Sequence, residues 1–136
     1  MAANPIVDTS FLVALFKQRD RHHRWAVQQA ARFDPPWHTC ESVLSETFYL
    51  VGTAGTDVLA QLFERNVLKI SLDLSQHQGA VMALMNKYRK VPMSIADGCL
   101  VRLTEILPDP VLLTADSDFR IYRRHGRQMI PCIMPT

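Results

Sequence analysis

The chain is poor in the features that most often announce a function. Its three cysteines, Cys40, Cys99 and Cys132, are odd in number, far apart and in no metal-type spacing. That argues against a disulfide scaffold or a cysteine-ligated zinc site and fits buried thiols of a reducing compartment. No apolar run approaches the roughly 18 residues of a membrane span, and Met1-Ala-Ala-Asn-Pro5 lacks the basic n-region of a secretory signal. Neither sign of charge is in excess: 15 Lys and Arg stand against 13 Asp and Glu, for a formal net charge of +2. Such a balance neither announces nor excludes a nucleic-acid partner. Repeats, low-complexity tracts and linkers are also missing. The expectation is a soluble, cytoplasmic protein whose residues 1–136 form a single domain around one substantial core.

What is present is a regular alternation of short β-branched runs and longer amphipathic ones. Strands are expected at 4–7, 37–40, 67–71, 111–114 and 129–134, the last confined to a sheet edge by Pro131. Helices are expected at 11–16, 25–33, 41–51, a stretch capped by Thr56-Asp57 through 64, and one from a Ser75/Gln78 capping box to about 90. A further helix is capped by Ser94 and runs to about 107, and a last one covers 119–124. Strands separated by helices make a parallel, helix-covered α/β sheet. Every parallel strand presents its carboxyl end to one rim, where such folds bind ligands.

The chain is organised around Val91-Pro-Met-Ser-Ile-Ala-Asp-Gly-Cys-Leu-Val-Arg-Leu103, in which Asp97 stands alone among apolar residues. Desolvation disfavours a lone carboxylate there, although Ser94, three residues earlier, also fits a capping box. Four further acids have comparable settings. Asp8 and Asp116 follow strand ends and precede helices, where an N-cap is the alternative reading. Glu46 shares a helical stripe with Val43 and Leu50, and Asp118 lies just beyond Asp116. Asp8 and Asp116 fall on the same sheet rim if the strands are correctly assigned. Acids gathered there must either bind protons at neutral pH or enclose a cation. Oxygen ligands without convergent Cys or His select a hard ion such as Mg²⁺ or Mn²⁺, the chemistry of phosphoryl transfer.

These residues resemble the PIN-domain ribonucleases, especially VapC-type toxins of toxin–antitoxin pairs. The resemblance is carried by Ile6-Val-Asp8-Thr-Ser10, Val43-Leu-Ser-Glu46, Met93-Ser-Ile-Ala-Asp97 and Leu113-Thr-Ala-Asp116-Ser-Asp118-Phe119, in that order over nearly the whole length. It implies a three-layer α/β/α sandwich with a central, mainly parallel sheet of about five strands. It also implies endoribonuclease activity with one or two Mg²⁺ or Mn²⁺ ions in a pocket built by Asp8, Glu46, Asp97 and Asp116. Asp118 is a variable fifth member, and Thr9, Ser94 and Thr114 match hydroxyls that support the pocket. An antitoxin partner and a homodimer are implied as well. Gly98 departs from the pattern, which commonly has a side chain there; a helical glycine costs up to about 1 kcal/mol against alanine.

With the resemblance, the physical reading makes Asp8, Asp97 and Asp116 the main metal ligands. Glu46 either binds through water or orients the nucleophile. No His or Lys belongs to this set, so no side-chain general base is expected. Arg120, Tyr122, Arg123, Arg124 and Arg127 form the one concentrated basic run. It suits either phosphate contact with Tyr122 stacking on a base, or a helix C-terminus complementing its dipole. Arg19, Arg21, His22, His23 and Arg24 read as a solvated loop, His38 and His77 as structural, and Trp25 and Trp37 as core or interface residues. A haloacid-dehalogenase-like phosphatase would need an acid where Ser10 stands, and a receiver domain an acidic pair and a late lysine. The remaining alternatives are a PIN-like domain that binds RNA or protein without cleaving, and a nuclease that is not a toxin.

Overall fold

Ile6 and Val7 are fully buried, because the strand they close is the middle of the sheet. The computed structural model describes residues 2–136. Strand β1 (Asn4–Val7) is flanked by β2 (Trp37–Thr39) and β4 (Pro110–Leu113), with β3 (Leu68–Ile70) beyond β2. The short β7 (Cys132–Ile133) closes the other edge, giving the order β3-β2-β1-β4-β7 with every pairing parallel. Pro5 is accommodated because β2 reaches β1 only at Ile6, opposite His38. Between β5 (Arg123–Arg124) and β6 (Gln128–Met129) lies a separate antiparallel hairpin.

Six helices flank the sheet: α1 (Thr9–Phe16), α2 (His23–Arg32), α3 (Glu41–Val51), α4 (Gly55–Glu64), α5 (Leu74–Lys87) and α6 (Ile95–Ile106). This is the expected α/β/α arrangement with a five-stranded parallel sheet. Among the described residues, no helix is long and apolar enough to cross a membrane. The core runs from Ile6, Val7, Leu112 and Leu113 on the sheet to Phe11 and Leu12 of α1 and to Leu100 and Leu103 of α6. Trp25 and Trp37 both meet Phe11 edge-on, at 5.8 and 5.7 Å between ring centres. Gly98 now has a reason. A Cβ there would sit 3.1 Å from Val81 Cγ1, so the missing side chain lets α6 approach α5.

Several local expectations are corrected. Helix α4 starts after Ala54 with no side-chain cap, so Thr56-Asp57 lies inside it. Helix α5 is capped by Asp73, whose Oδ1 accepts from the N–H and hydroxyl of Ser75, rather than by a Ser75/Gln78 box. The helix expected at 119–124 is a single 3₁₀ turn, Ser117–Arg120, followed by β5. The final strand is split: Gln128–Met129 pairs with β5, and only Cys132–Ile133 joins the main sheet at its edge. Between them Pro131 contributes its carbonyl, which accepts from Leu112 N–H.

Candidate active site

The sheet order reverses at β1: the chain moves outward through β2 and β3, then returns to place β4 on the other side of β1. At such a switch point the loops leaving adjacent strands diverge and open a crevice at their carboxyl ends. Asp8 leaves β1 and Asp116 follows β4 at this point. A cavity of about 460 Å³ opens there, and Asp8, Glu46, Asp97 and Asp116 all line it. Helix α3 contributes Val43, Glu46 and Leu50 to its wall, and α6 contributes Asp97 and Leu100. The stripe read from the sequence of α3 is therefore real, although Glu46 is solvent-exposed rather than buried.

The capping and pocket readings of these acids prove compatible. Asp8 is the N-cap of α1, with Oδ1 accepting from Phe11 N–H at 2.9 Å and from the Ser10 hydroxyl at 2.7 Å. Its Oδ2 accepts from the Thr114 hydroxyl. Thr114 Oγ1 in turn accepts from Asp116 N–H at 2.9 Å, tying the loops after β1 and β4 together. Asp116 caps the 3₁₀ turn through Asp118 N–H, again at 2.9 Å. Ser94 caps α6 by accepting from Asp97 N–H at 3.0 Å. The Asp97 carboxylate, however, is the acceptor of the Tyr122 hydroxyl at 3.1 Å. Glu46 accepts from the Thr9 hydroxyl at 2.7 Å. Each expected hydroxyl thus touches its acid or that acid's backbone, and Ser10 joins them.

The electrostatics are those of crowded carboxylates. Asp8 is only 5% exposed, and burial pushes its carboxyl up to about 6. Hydrogen bonds from Thr114, Ser10 and Phe11 oppose that rise, and the charge of Asp116 adds to it. Asp97 is raised by burial and by the charges of Asp116 and Glu46, against the bonds from Tyr122 and Ser94. The Tyr122 hydroxyl is held above its usual range by burial and by Asp97, which keeps it a donor. Among the described residues, no Lys or Arg lines the cavity.

A hard cation fits this donor set, since the acids share a space without a compensating side-chain cation. Among the described residues, no three His, Cys, Asp or Glu side chains converge closely enough to hold a metal as they stand. Mg²⁺ tolerates this arrangement because it is commonly held by one or two carboxylates and keeps its waters.

Other residues fall differently from the sequence reading. Asp118 does not line the cavity, though its charge reaches Tyr122. Tyr122 is completely buried, packed edge-on against Phe119 and Tyr88. It cannot stack on a base; it orients Asp97 instead. Arg123 Nη1 donates to the carbonyls of Arg120, Ile121 and Tyr122, while Arg124 donates to Thr104 O and Gln128 Oε1. Of that basic run, Arg120 and Arg127 are exposed, and Arg123 and Arg124 are half-buried. His38 is paired with Ser71 and His77 with Arg102, as structural residues would be. Asp20 and His22, from the turn between α1 and α2, also line the cavity. His22 was read as part of a solvated loop, and the structure places it on the cavity wall beside the acids. A polar turn gives no sequence signal for what it folds over.

A family model described as the PIN domain matches residues 6–124. Among solved structures, the chain is similar to VapC20 of Mycobacterium tuberculosis, described as a toxin that cleaves the sarcin-ricin loop. The two share 22% identity with a TM-score of 0.68, over 85% of this chain and 92% of that one. At that identity the likeness carries the fold. No curated protein matches the chain in sequence.

Proposed function

The chain belongs to the PIN domain family, and from that premise we propose that it is a metal-dependent endoribonuclease hydrolysing RNA phosphodiester bonds. The observation that carries the proposal is the meeting of Asp8, Glu46, Asp97 and Asp116, drawn from four separate segments, on one cavity without Lys or Arg. Four carboxylates so placed are poorly suited to binding an anionic strand unaided and well suited to holding Mg²⁺ or Mn²⁺ against it. When bound, one or two such ions supply positive charge to the scissile phosphate and make a nearby water a stronger acid.

The protein's own residues have distinct tasks. Asp8 is fixed by three hydrogen bonds, two on Oδ1 and one on Oδ2, and offers its one remaining Oδ2 lone pair to the cavity it lines. Asp97, oriented by Tyr122, and Asp116, oriented by the turn it caps, complete the ligand set. Glu46 is the most exposed of the four and, steadied by Thr9, is placed to hold a water between itself and the metal or the phosphate. Asp118 lies outside the cavity wall and contributes charge rather than a ligand.

The size of the domain and its likeness in fold to VapC20 support a toxin of a type II pair, acting in the cytoplasm and silenced by an antitoxin. The antitoxin would place a basic or apolar segment in the acidic cavity. Phe48, Tyr49 and Leu50 at the end of α3 and Val58 on α4 expose apolar surface, which supports pairing with a second copy. Cleavage of RNA with Mg²⁺, with EDTA, and by Asp97→Asn tests the activity. Wild type should cut only with the metal, and the folded variant should lose at least about a hundredfold in rate. Cleavage that persists in EDTA, or in a folded Asp97→Asn protein, removes the mechanism.

A further inference from the structure

The turn between α1 and α2 adds a wall to the cavity that the acids do not explain. Its backbone is fixed: Asp20 N–H donates to Lys17 O and His23 N–H to Asp20 O, both at 3.0 Å. The Asp20 side chain accepts from His22 N–H at 2.8 Å. The two adjacent histidines then diverge. His23 Nδ1 is bonded to Ala14 O at 2.7 Å and anchors the turn. His22 sits at the N-cap of α2, makes no side-chain cap bond and lines the cavity with the four acids. Its ring lies edge-on to Trp25, 6.5 Å between centres, and its nitrogens have no hydrogen-bond partner among the described residues.

We propose that His22 is a ligand of the RNA backbone, donating a ring N–H to a phosphate oxygen of the strand held over Asp8, Glu46, Asp97 and Asp116. The inference rests on the RNA-cleaving reading above and assigns part of its substrate contact to one residue. Among the described residues, His22 is the one nitrogen-bearing side chain on the cavity wall. The Thr9 and Ser10 hydroxyls there are already donated to Glu46 and Asp8. Ser94 keeps a hydroxyl to donate while accepting from Asp97 N–H; apart from it and a metal, His22 is the side-chain donor that a phosphodiester entering among the carboxylates can meet. Asp20, by holding His22 N–H, acts as a positioning residue that sets where the ring stands.

The test uses the full chain as wild type, His22→Ala and His22→Gln. Fluorescence anisotropy reads binding of a labelled, mixed-sequence single-stranded RNA with Ca²⁺ replacing Mg²⁺, and steady-state cleavage of the same RNA is followed with Mg²⁺. A lost hydrogen bond to a charged acceptor corresponds to about tenfold weaker binding or more. His22→Ala should show that loss, with KM raised by a similar factor and kcat changed far less. His22→Gln, which keeps an N–H donor, should recover most of it, and calorimetric Mn²⁺ affinity should be the same in all three. Equal RNA affinity in wild type and His22→Ala overturns the proposal. So does a loss of Mn²⁺ affinity, which would make the ring a metal ligand, or failure of glutamine to restore binding. If wild type binds RNA but cuts none, the nuclease reading fails while the comparison still decides the role of His22. If wild type binds no RNA, both fail.

Discussion

Asp8→Asn separates the electrostatic strain of the cavity from its chemistry. The Asp8 carboxyl titrates at about 6 in the fold, against 3.8 for the free side chain. The native state therefore holds this proton more tightly than the unfolded chain does. Stability from Asp8 is fully present below about 3.8 and is lost as pH rises through about 6, because ionisation is opposed in the native state only. A rise of about two pH units at 1.36 kcal/mol each amounts to about 3 kcal/mol. Asparagine removes that loss but not without cost. Its amide oxygen can still accept from Phe11 N–H and Ser10, yet its NH₂ then faces Thr114 Oγ1, which must give up donating to Asp8. The displaced Thr114 hydrogen finds only Ser10 Oγ, 3.5 Å away, a cost of about 1 kcal/mol. The variant should therefore be about 1 kcal/mol less stable than wild type at pH 4 and about 2 kcal/mol more stable at pH 8. Urea titrations in EDTA across that range give both values. Repeating them with Mg²⁺ should stabilise wild type and leave Asp8→Asn nearly unchanged. A stability difference that stays flat from pH 4 to pH 8 refutes the reasoning, since it would mean Asp8 does not carry the strain.

Tyr122→Phe removes the donor to Asp97 while keeping the buried ring; stability should fall by about 1 kcal/mol in urea unfolding, and cleavage should slow severalfold with an unchanged fold by circular dichroism. Thr114→Val deprives both buried Asp8 Oδ2 and part-buried Asp116 N–H of a partner, so a loss of about 1–3 kcal/mol is expected, read in the same titration. For Gly98→Ala, the added methyl presses on fully buried Val81, and overpacking of about 1–3 kcal/mol outweighs the up to about 1 kcal/mol gained in helix propensity. Its melting temperature should drop by a few degrees, whereas a rise would show that α5 gives way freely.

The parts legible in the sequence were those set by short-range patterning. Asn4–Val7 followed by Asp8 reads as a strand leading into a capped helix because both signals are adjacent. Glu41–Val51 was bounded correctly from its periodicity and Gly52, which adopts φ 73° after the last turn. Residues 119–124 misled because Phe119 and Tyr122, three apart, suit an α-helix and a 3₁₀ turn equally. What decides between them is distant: Tyr122 is drawn inward by Tyr88 and Asp97, and His125 and Gly126, both at positive φ, turn the chain back into a hairpin. His22 was missed for a related reason. Its neighbours look like a solvated loop, and its place over the cavity is set by how α1 packs on α2 and α3.

The order in which the sheet is threaded has a consequence for synthesis. Asp8 leaves the ribosome 106 residues before Thr114, the threonine that holds it, and before Asp116, its neighbour across the cleft. Until β4 slides in beside β1, the growing polypeptide carries the cavity's acids unassembled. On the proposed function, the chain cannot cut RNA before the strand that brings Thr114 and Asp116 has been made.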